Sequence, residues 1–297
     1  MHDLLNHASQ VYAFDYFGVI LVLSLLESVV PRQVAGDTLR LRWFGNFAVS
    51  IGNTVLLRAL FPFIGIAAGT ISQQRGWGLF NQVSVPPWLA FIVTLLALDF
   101  VAYSQHVVLH RFPWLWRIHR MHHTDHECDL TTGVRFHPFE AIFTTLITAA
   151  AVVALGAPPV FVFASTLLAT FIGFVEHANV KTPARLERVL RWMLVTPEMH
   201  RIHHSRERRE GQSNFGGAFP WWDQLLGTYI AQPAAGQDRI AFGVKGFEDR
   251  KHLSLGWMLA QPFLSADANR APTSSKLDEV LAVDTGLRRG EGPASPR

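Results

Sequence analysis

The sequence predicts an all-α fold: a polytopic integral membrane helical bundle with a histidine-rich di-metal site at its cytoplasmic face. Three observations carry this expectation. Hydrophobic residues make up 49% of the 297-residue chain and charged residues only 16%, against about 25% charged in an ordinary soluble protein; mean hydropathy is +0.19. Several apolar runs are long enough to cross a bilayer. Eight of the fourteen histidines fall in three short clusters, His106-x-x-x-His110, His119-x-x-His122-His123 and His200-x-x-His203-His204.

The first apolar run extends from about Val11 to Val30 and is ended by Pro31. The second, about Trp43 to Ile71, is longer than a bilayer needs and contains Asn53 and Arg58. The third runs from Pro87 to about His110. Roughly 20 helical residues cross the hydrocarbon core, so each run can span. A polar, histidine-rich stretch follows from Arg111 to Glu140, with a bend at Arg111-Phe-Pro-Trp where Trp114 and Trp116 can anchor at the membrane surface. Residues Ala141 to Glu176 are apolar apart from Gly156-Ala157-Pro158-Pro159. Each arm of that hairpin is somewhat short for a span, so it either dips into the bilayer or crosses a thinned one. From His177 to about Tyr229 the chain is polar and basic. The end from Ser265, rich in Ser, Pro, Gly, Asp and Arg, reads as a disordered tail.

Charge placement tests this topology. The first loop carries Arg32, Arg40 and Arg42, and the second only Arg75. After the third run come Arg111, Arg117, Arg120 and Arg135; the hairpin tip has none; Lys181, Arg185, Arg188 and Arg191 follow it. The alternation obeys the positive-inside rule and puts all three clusters on the cytoplasmic side. A net charge of +3 concentrated in those loops suits membrane orientation, not nucleic-acid binding. Cys128 is the only cysteine, which excludes a disulfide framework and a thiolate zinc ribbon. The N-terminus lacks the basic start and small-residue cleavage site of a signal peptide.

Positions i, i+3 and i+4 share a helix face, so each cluster is expected to aim its imidazoles at a common point. Imidazole suits iron, zinc, copper and nickel. Eight to ten histidines exceed the four ligands of one zinc, which favours two ions sharing the set. The His-Glu-x-x-His pattern of zinc proteases is absent, and paired haem histidines would lie on different helices. A paired non-haem iron site at the membrane surface is the expectation. His137 and His177 fall on the same side as further ligands or as orienting partners. Asp99 shares a helix stripe with His106 and His110 and is a candidate supporting residue, or it simply accepts a hydrogen bond from Tyr103 or Arg58. His2, His7 and His252 read as surface or satisfied core residues, and His126 as a polar-loop neighbour. Trp221-Trp222-Asp223 reads as interface packing, and Cys128 as inert.

These clusters, with Asp99-Phe-x-x-Tyr103, Arg135-Phe-His137-Pro138-Phe-Glu140, Thr196-Pro-Glu-Met-His200-Arg-Ile-His-His204-Ser205, Asn214-Phe-Gly-Gly and Trp222-Asp-Gln-Leu-Leu-Gly-Thr-Tyr229, resemble the fatty acid hydroxylase and sterol desaturase superfamily of membrane di-iron oxygenases. The resemblance covers about Glu27 to Phe263. It implies a cytosolic helical cap over a bundle of four or more membrane helices, with two irons in the cap, the eight motif histidines as ligands and His177 as a ninth. It divides the chain into N-terminal membrane helices (1–86), a catalytic unit (87–263, with the hairpin 141–176) and a tail (264–297).

Breaking an unactivated C–H bond needs an oxidant that side chains cannot provide, and iron with O₂ can. The expected activity is hydroxylation, or desaturation, of a lipid such as a fatty acyl chain or sterol drawn from the bilayer. No Gly-x-Gly-x-x-Gly fingerprint occurs, so electrons are expected from a separate carrier, a ferredoxin or a small cytochrome with its reductase. The rival readings are a membrane metal carrier or haem electron-transfer protein, and a degenerate member that only binds lipid or partners. Transport would place polar residues along a path across the membrane, whereas these histidines gather at one face.

Overall fold

A computed structural model describes residues 7–61 and 64–264; His2 and the expected tail from Ser265 lie outside that range. The described residues form no sheet, only isolated bridges between Pro31 and Val180 and between Ser205 and Phe242. The bundle comprises α1 (Ala8–Val29), α2 (Leu39–Leu60), α3 (Ile64–Arg75), a short α4 (Leu79–Gln82), α5 (Pro87–Arg111), α7 (Pro138–Leu155) and α8 (Pro159–His177). The cap comprises α6 (Pro113–His123), α9 (Ala184–Leu190), α10 (Pro197–His203), α11 (Trp221–Leu226), α12 (Leu255–Ala260) and several 3₁₀ turns.

Among the described residues, five stretches are long and apolar enough to cross a membrane: α1, residues Leu39–Gln82, α5, α7 and α8. The second apolar run is not one helix, since α2 ends at Leu60 and α3 begins at Ile64. The hairpin arms, at 18 and 19 residues, both qualify. Phe14, Phe17, Ile51, Val55 and Trp88 stand exposed around the bundle, a surface suited to lipid and not to water. The chain is an integral membrane protein.

Local sequence explains where the helices start and stop. Helices α5, α6, α7, α8 and α10 each open on proline, whose fixed φ and missing N–H cost nothing at a first helical position. Helix α7 ends at Gly156, with φ of 67°, the left-handed cap that glycine adopts freely. Against it sits Gly78, where a Cβ would fall 2.1 Å from the Gly156 nitrogen. The two glycines let the hairpin tip and the α3–α4 turn interlock, which fixes one end of the bundle.

At the other end, the C-termini of α5 and α8 meet the N-terminus of α7, and the cap closes over them. A buried ionic cluster locks it. The Arg42 guanidinium pairs with Asp125 and, at 2.8 Å, with Asp129. Asn46 donates to Asp125 (3.1 Å) and Thr131 (2.9 Å) and accepts from Arg135 (2.8 Å). Removing one partner of such a buried pair costs about 3–5 kcal/mol, because the other charge is stranded. The cluster therefore ties α2 to the loop that follows α6.

Candidate metal centre

His106 and His110 occupy the last turns of α5, and the chain bends at Phe112 into α6, which carries His119, His122 and His123. His177 ends α8, His200 and His203 lie on α10, and His204 is its C-terminal cap. These nine residues form two groups: His106, His110, His119, His123 and His203 in one, and His122, His177, His200 and His204 in the other. Within each group the potential ligand nitrogens lie within 4.8 Å of one another.

This arrangement corrects the expectation that each triplet converges on one point. On α6, His119 and His123 serve the five-histidine group while His122 serves the other. On α10, His200 and His204 serve the four-histidine group while His203 crosses over. At roughly 100° per residue, positions i+3 and i+4 diverge to opposite flanks of the stripe, so one triplet can feed two centres.

The residues fit metal ions. The Nε2 atoms of His177, His200 and His204 form a triangle with sides of 3.0, 3.1 and 3.2 Å, and His122 Nε2 lies 3.2 Å from that of His177. In the other group, His123 Nε2 is 3.1 Å from His110 Nε2 and 3.2 Å from His119 Nε2. One proton can bridge two nitrogens but not three that converge. A point equidistant from three such corners lies roughly 1.8 Å from each, close to a metal–imidazole bond of ~2.0–2.1 Å. The Nε2 atoms of His106 and His203 are buried with no protein partner.

Electrostatics agree. Burial, reinforced by neighbouring imidazoles, pushes His119, His122, His123, His200, His203 and His204 well below the ordinary histidine range. They are therefore neutral, which is the ligating form.

The outer nitrogens explain why Nε2 faces inward. His106 Nδ1 lies 3.0 Å from the Phe215 carbonyl, His203 Nδ1 2.8 Å from that of Ser213, and His177 Nδ1 2.6 Å from that of Gly173. A carbonyl only accepts, so the proton sits on Nδ1 and the Nε2 lone pair is left for a metal. His119 Nδ1 donates to Glu140 at 2.7 Å, and the Gln212 amide lies 2.8 Å from His110 Nδ1. Glu176 approaches His177 and His200 at 3.7 and 3.8 Å.

Residues 212–215 thus brace three histidines at once. Asn214 takes a left-handed φ of 53° and is held by side-chain bonds to Met199 and Ile230. Asp223 accepts from the Phe215 and Gly216 amides at 2.8 and 2.7 Å. Beneath the two groups, a cavity of about 610 Å³ reaches down between α5, α7 and α8, with His106, His119, His122, His177 and His200 in its wall.

Comparison with known proteins agrees with this geometry. A family model for fatty acid hydroxylases matches residues 91–228, a range that contains all nine histidines. The ornithine lipid hydroxylase OlsE of Rhizobium tropici is 28% identical over 255 residues, covering 84% of this chain and 74% of the relative. Residues 91–228 belong to the fatty acid hydroxylase superfamily. Within that superfamily, the alkylglycerol monooxygenase of Xenopus tropicalis is 27% identical over 77% of this chain and 48% of its own length. The chain thus spans about half the length of that monooxygenase. Cholesterol 25-hydroxylase of Mus musculus is 24% identical over 48% of the chain and 47% of the relative. No solved structure matches. Membership makes the protein an iron-dependent lipid hydroxylase.

Several expected residues take other positions in this hydroxylase. His137 is the N-cap of α7: its Nδ1 accepts from the Phe139 amide at 3.2 Å, and its Nε2 donates to the Leu259 carbonyl at 3.2 Å. Both nitrogens are occupied and it joins neither group. Asp99 hydrogen-bonds no histidine, nor does it pair with Tyr103 or Arg58. It accepts from the Ala218 amide (2.7 Å) and the Trp222 indole (2.8 Å), anchoring the segment that follows the 212–215 brace. Tyr103 pairs with Thr228 at 3.0 Å. Trp116 is buried against His110 and His123 instead of anchoring at the membrane surface, whereas Trp114 is exposed. Asp223 is fully buried. His126 contacts the Phe247 carbonyl at 3.0 Å. Burial pushes the Cys128 thiol far up, leaving it un-ionised. Glu140, Glu176 and the 212–215 brace are the supports that sequence reasoning missed. Glu140 and Asn214 sat within motifs already singled out, but backbone carbonyl acceptors carry no side-chain signature.

Proposed function

We propose that the nine histidines hold two iron ions, five serving one and four the other, and that the protein hydroxylates a membrane lipid entering from the bilayer. The observation that carries this reading is the pair of histidine groups opening onto a cavity between membrane-spanning helices. Bound iron with O₂ supplies an oxidant able to break an unactivated C–H bond. The chain does the rest. Glu140 and the carbonyls of Gly173, Ser213 and Phe215 hold protons on Nδ1 and fix each ring. Phe136, stacked 4.8 Å from His122, and Trp116 exclude water from the histidines.

Hydroxylation is preferred over desaturation because the matched relatives carry the names hydroxylase and monooxygenase. Their named lipids support a membrane lipid as substrate, with a fatty acyl chain or sterol within that class. The alternation of basic loops supports an active site on the cytoplasmic side. Electrons then come from a soluble ferredoxin or small cytochrome with its reductase. Residues 87–263 are the catalytic unit and 1–86 its N-terminal membrane helices, with 264–297 a tail.

Comparative lipid mass spectrometry of cells with and without the gene tests this reading. A lipid heavier by one oxygen should appear with the native gene and not with His122→Ala. A product lighter by two hydrogens would replace hydroxylation by desaturation. No change in any lipid class, with iron and a donor supplied, would overturn the reading.

A further inference from the structure

The four-histidine group draws His177 from the last turn of α8, and the chain leaves that helix at once: Ala178, with φ of −58° and ψ of 133°, is already outside it. What holds this exit lies on α1, far from every histidine cluster in sequence. Glu27 stands in the last turn of α1. Its Oε1 accepts two backbone amides, that of Asn179 at 2.7 Å and that of Leu130 at 2.8 Å. One carboxylate oxygen has the lone pairs for both. Leu130 and Asn179 are buried, so their N–H groups need an acceptor.

Each of the two amides borders His177. Asn179 lies two residues beyond it. Leu130 opens the 3₁₀ turn Leu130–Val134, which packs on the end of α8: a Cβ on Gly133 would fall 2.6 Å from the Gly173 carbonyl oxygen and 3.2 Å from His177 Nδ1. That carbonyl is the one that takes the His177 proton. The turn thus backs the ring, and the segment after α8 fixes its backbone. Residues following α1 strengthen the hold. The Arg32 amide donates to the Asn179 carbonyl and the Lys181 amide to that of Val30, both at 3.0 Å. The Asn179 side chain accepts from the Gln33 amide at 3.0 Å and donates to its carbonyl at 2.7 Å. Leu23, Leu130, Phe174 and Ala178 close over the same corner in one apolar cluster.

An ionisable side chain at the end of a lipid-facing helix is costly and marks a task. From this, and resting on the reading that His122, His177, His200 and His204 hold one of two ions, we infer that Glu27 is a positioning residue for His177. Helix α1, outside the family-matched residues 91–228, thereby completes the four-histidine centre without giving it a ligand. Among the described residues Glu27 makes no hydrogen bond to α5, α6 or α10, so the five-histidine centre should not feel its loss.

Iron(II) titrated without oxygen into the metal-stripped full chain in detergent tests this without turnover. His177→Ala identifies which of two binding phases belongs to the four-histidine centre. Glu27→Met, similar in length but lacking an acceptor, should weaken that phase about ten-fold, the low end of what loss of an outer partner costs. The other phase should stay near native. Glu27→Gln keeps an accepting oxygen and should bind within about two-fold of native. Added to His177→Ala, Glu27→Met should weaken the remaining phase by no more than about two-fold, because it acts through a ligand already gone. Equal weakening of both phases, no weakening in Glu27→Met, or a Glu27→Gln as weak as Glu27→Met would overturn the inference. If Glu27→Met fails to fold, Asn179→Ala, which removes the pairing with Gln33, decides by the same contrast. Loss confined to the four-histidine phase supports the inference, and loss at both centres or at neither overturns it. A native chain that binds two ions yet ignores these substitutions fails this inference alone. A native chain with no second phase fails the two-ion reading, and the inference with it.

Discussion

The two histidine groups are built from the same two triplets but are completed in different ways. The five-histidine group is finished locally: His106 and His110 sit one bend away from α6, and Glu140, Gln212, Ser213 and Phe215 brace its outer nitrogens. The four-histidine group depends on His177 from the end of α8, and its Nε2 atoms crowd into the tighter cluster. The first group has a ligand in excess of four and a dense outer frame. The second has four ligands and a thinner frame: His122 Nδ1 and His200 Nδ1 have no hydrogen-bond partner. The lesson is one of tolerance. Loss of a single ligand should harm the second centre more.

The largest effect should therefore come from His177→Ala, which leaves three ligands. Metal affinity at that centre should fall by more than about 100-fold, beyond the ~10–100-fold that loss of an outer partner costs. His106→Ala leaves four ligands in its group and should retain more metal. Titration of metal-stripped protein with iron would show the contrast, and equal losses would break it.

Glu140→Gln keeps the shape but weakens the hold on His119. It should lower affinity at the five-histidine centre by ~10–100-fold and leave the other unchanged, as competition with a chelator would report. A smaller effect is expected at Asn214. Glycine tolerates its positive φ, so Asn214→Gly should cost only a few-fold in affinity at the same centre. Asn214→Ala, which adds backbone strain, should cost more. If both variants bind metal alike, the left-handed turn does not matter to the brace.

Much of this was legible in the sequence because both the spans and the clusters rest on short-range patterns. Apolar runs gave the membrane helices, and Arg111-Phe-Pro-Trp gave the bend between the first two clusters. The split of each triplet was not legible. Whether His122 or His123 faces a given centre depends on how α6 and α10 cross, which spacing does not encode. Asp99 misled for a related reason. Its helix stripe was read correctly, but its partners, Ala218 and Trp222, are over a hundred residues away in sequence. His137 looked like a ligand by type and place, yet the turn that opens α7 uses one ring nitrogen and Leu259 the other.

The central claim is that two separate metal centres share the triplets, and iron content per chain tests it most directly. The native protein should hold about two irons. His122→Ala, which takes one of four ligands, should hold about one, and His203→Ala, which takes one of five, should hold more than that. A native chain with about one iron, or a His122→Ala chain with none, would contradict the account.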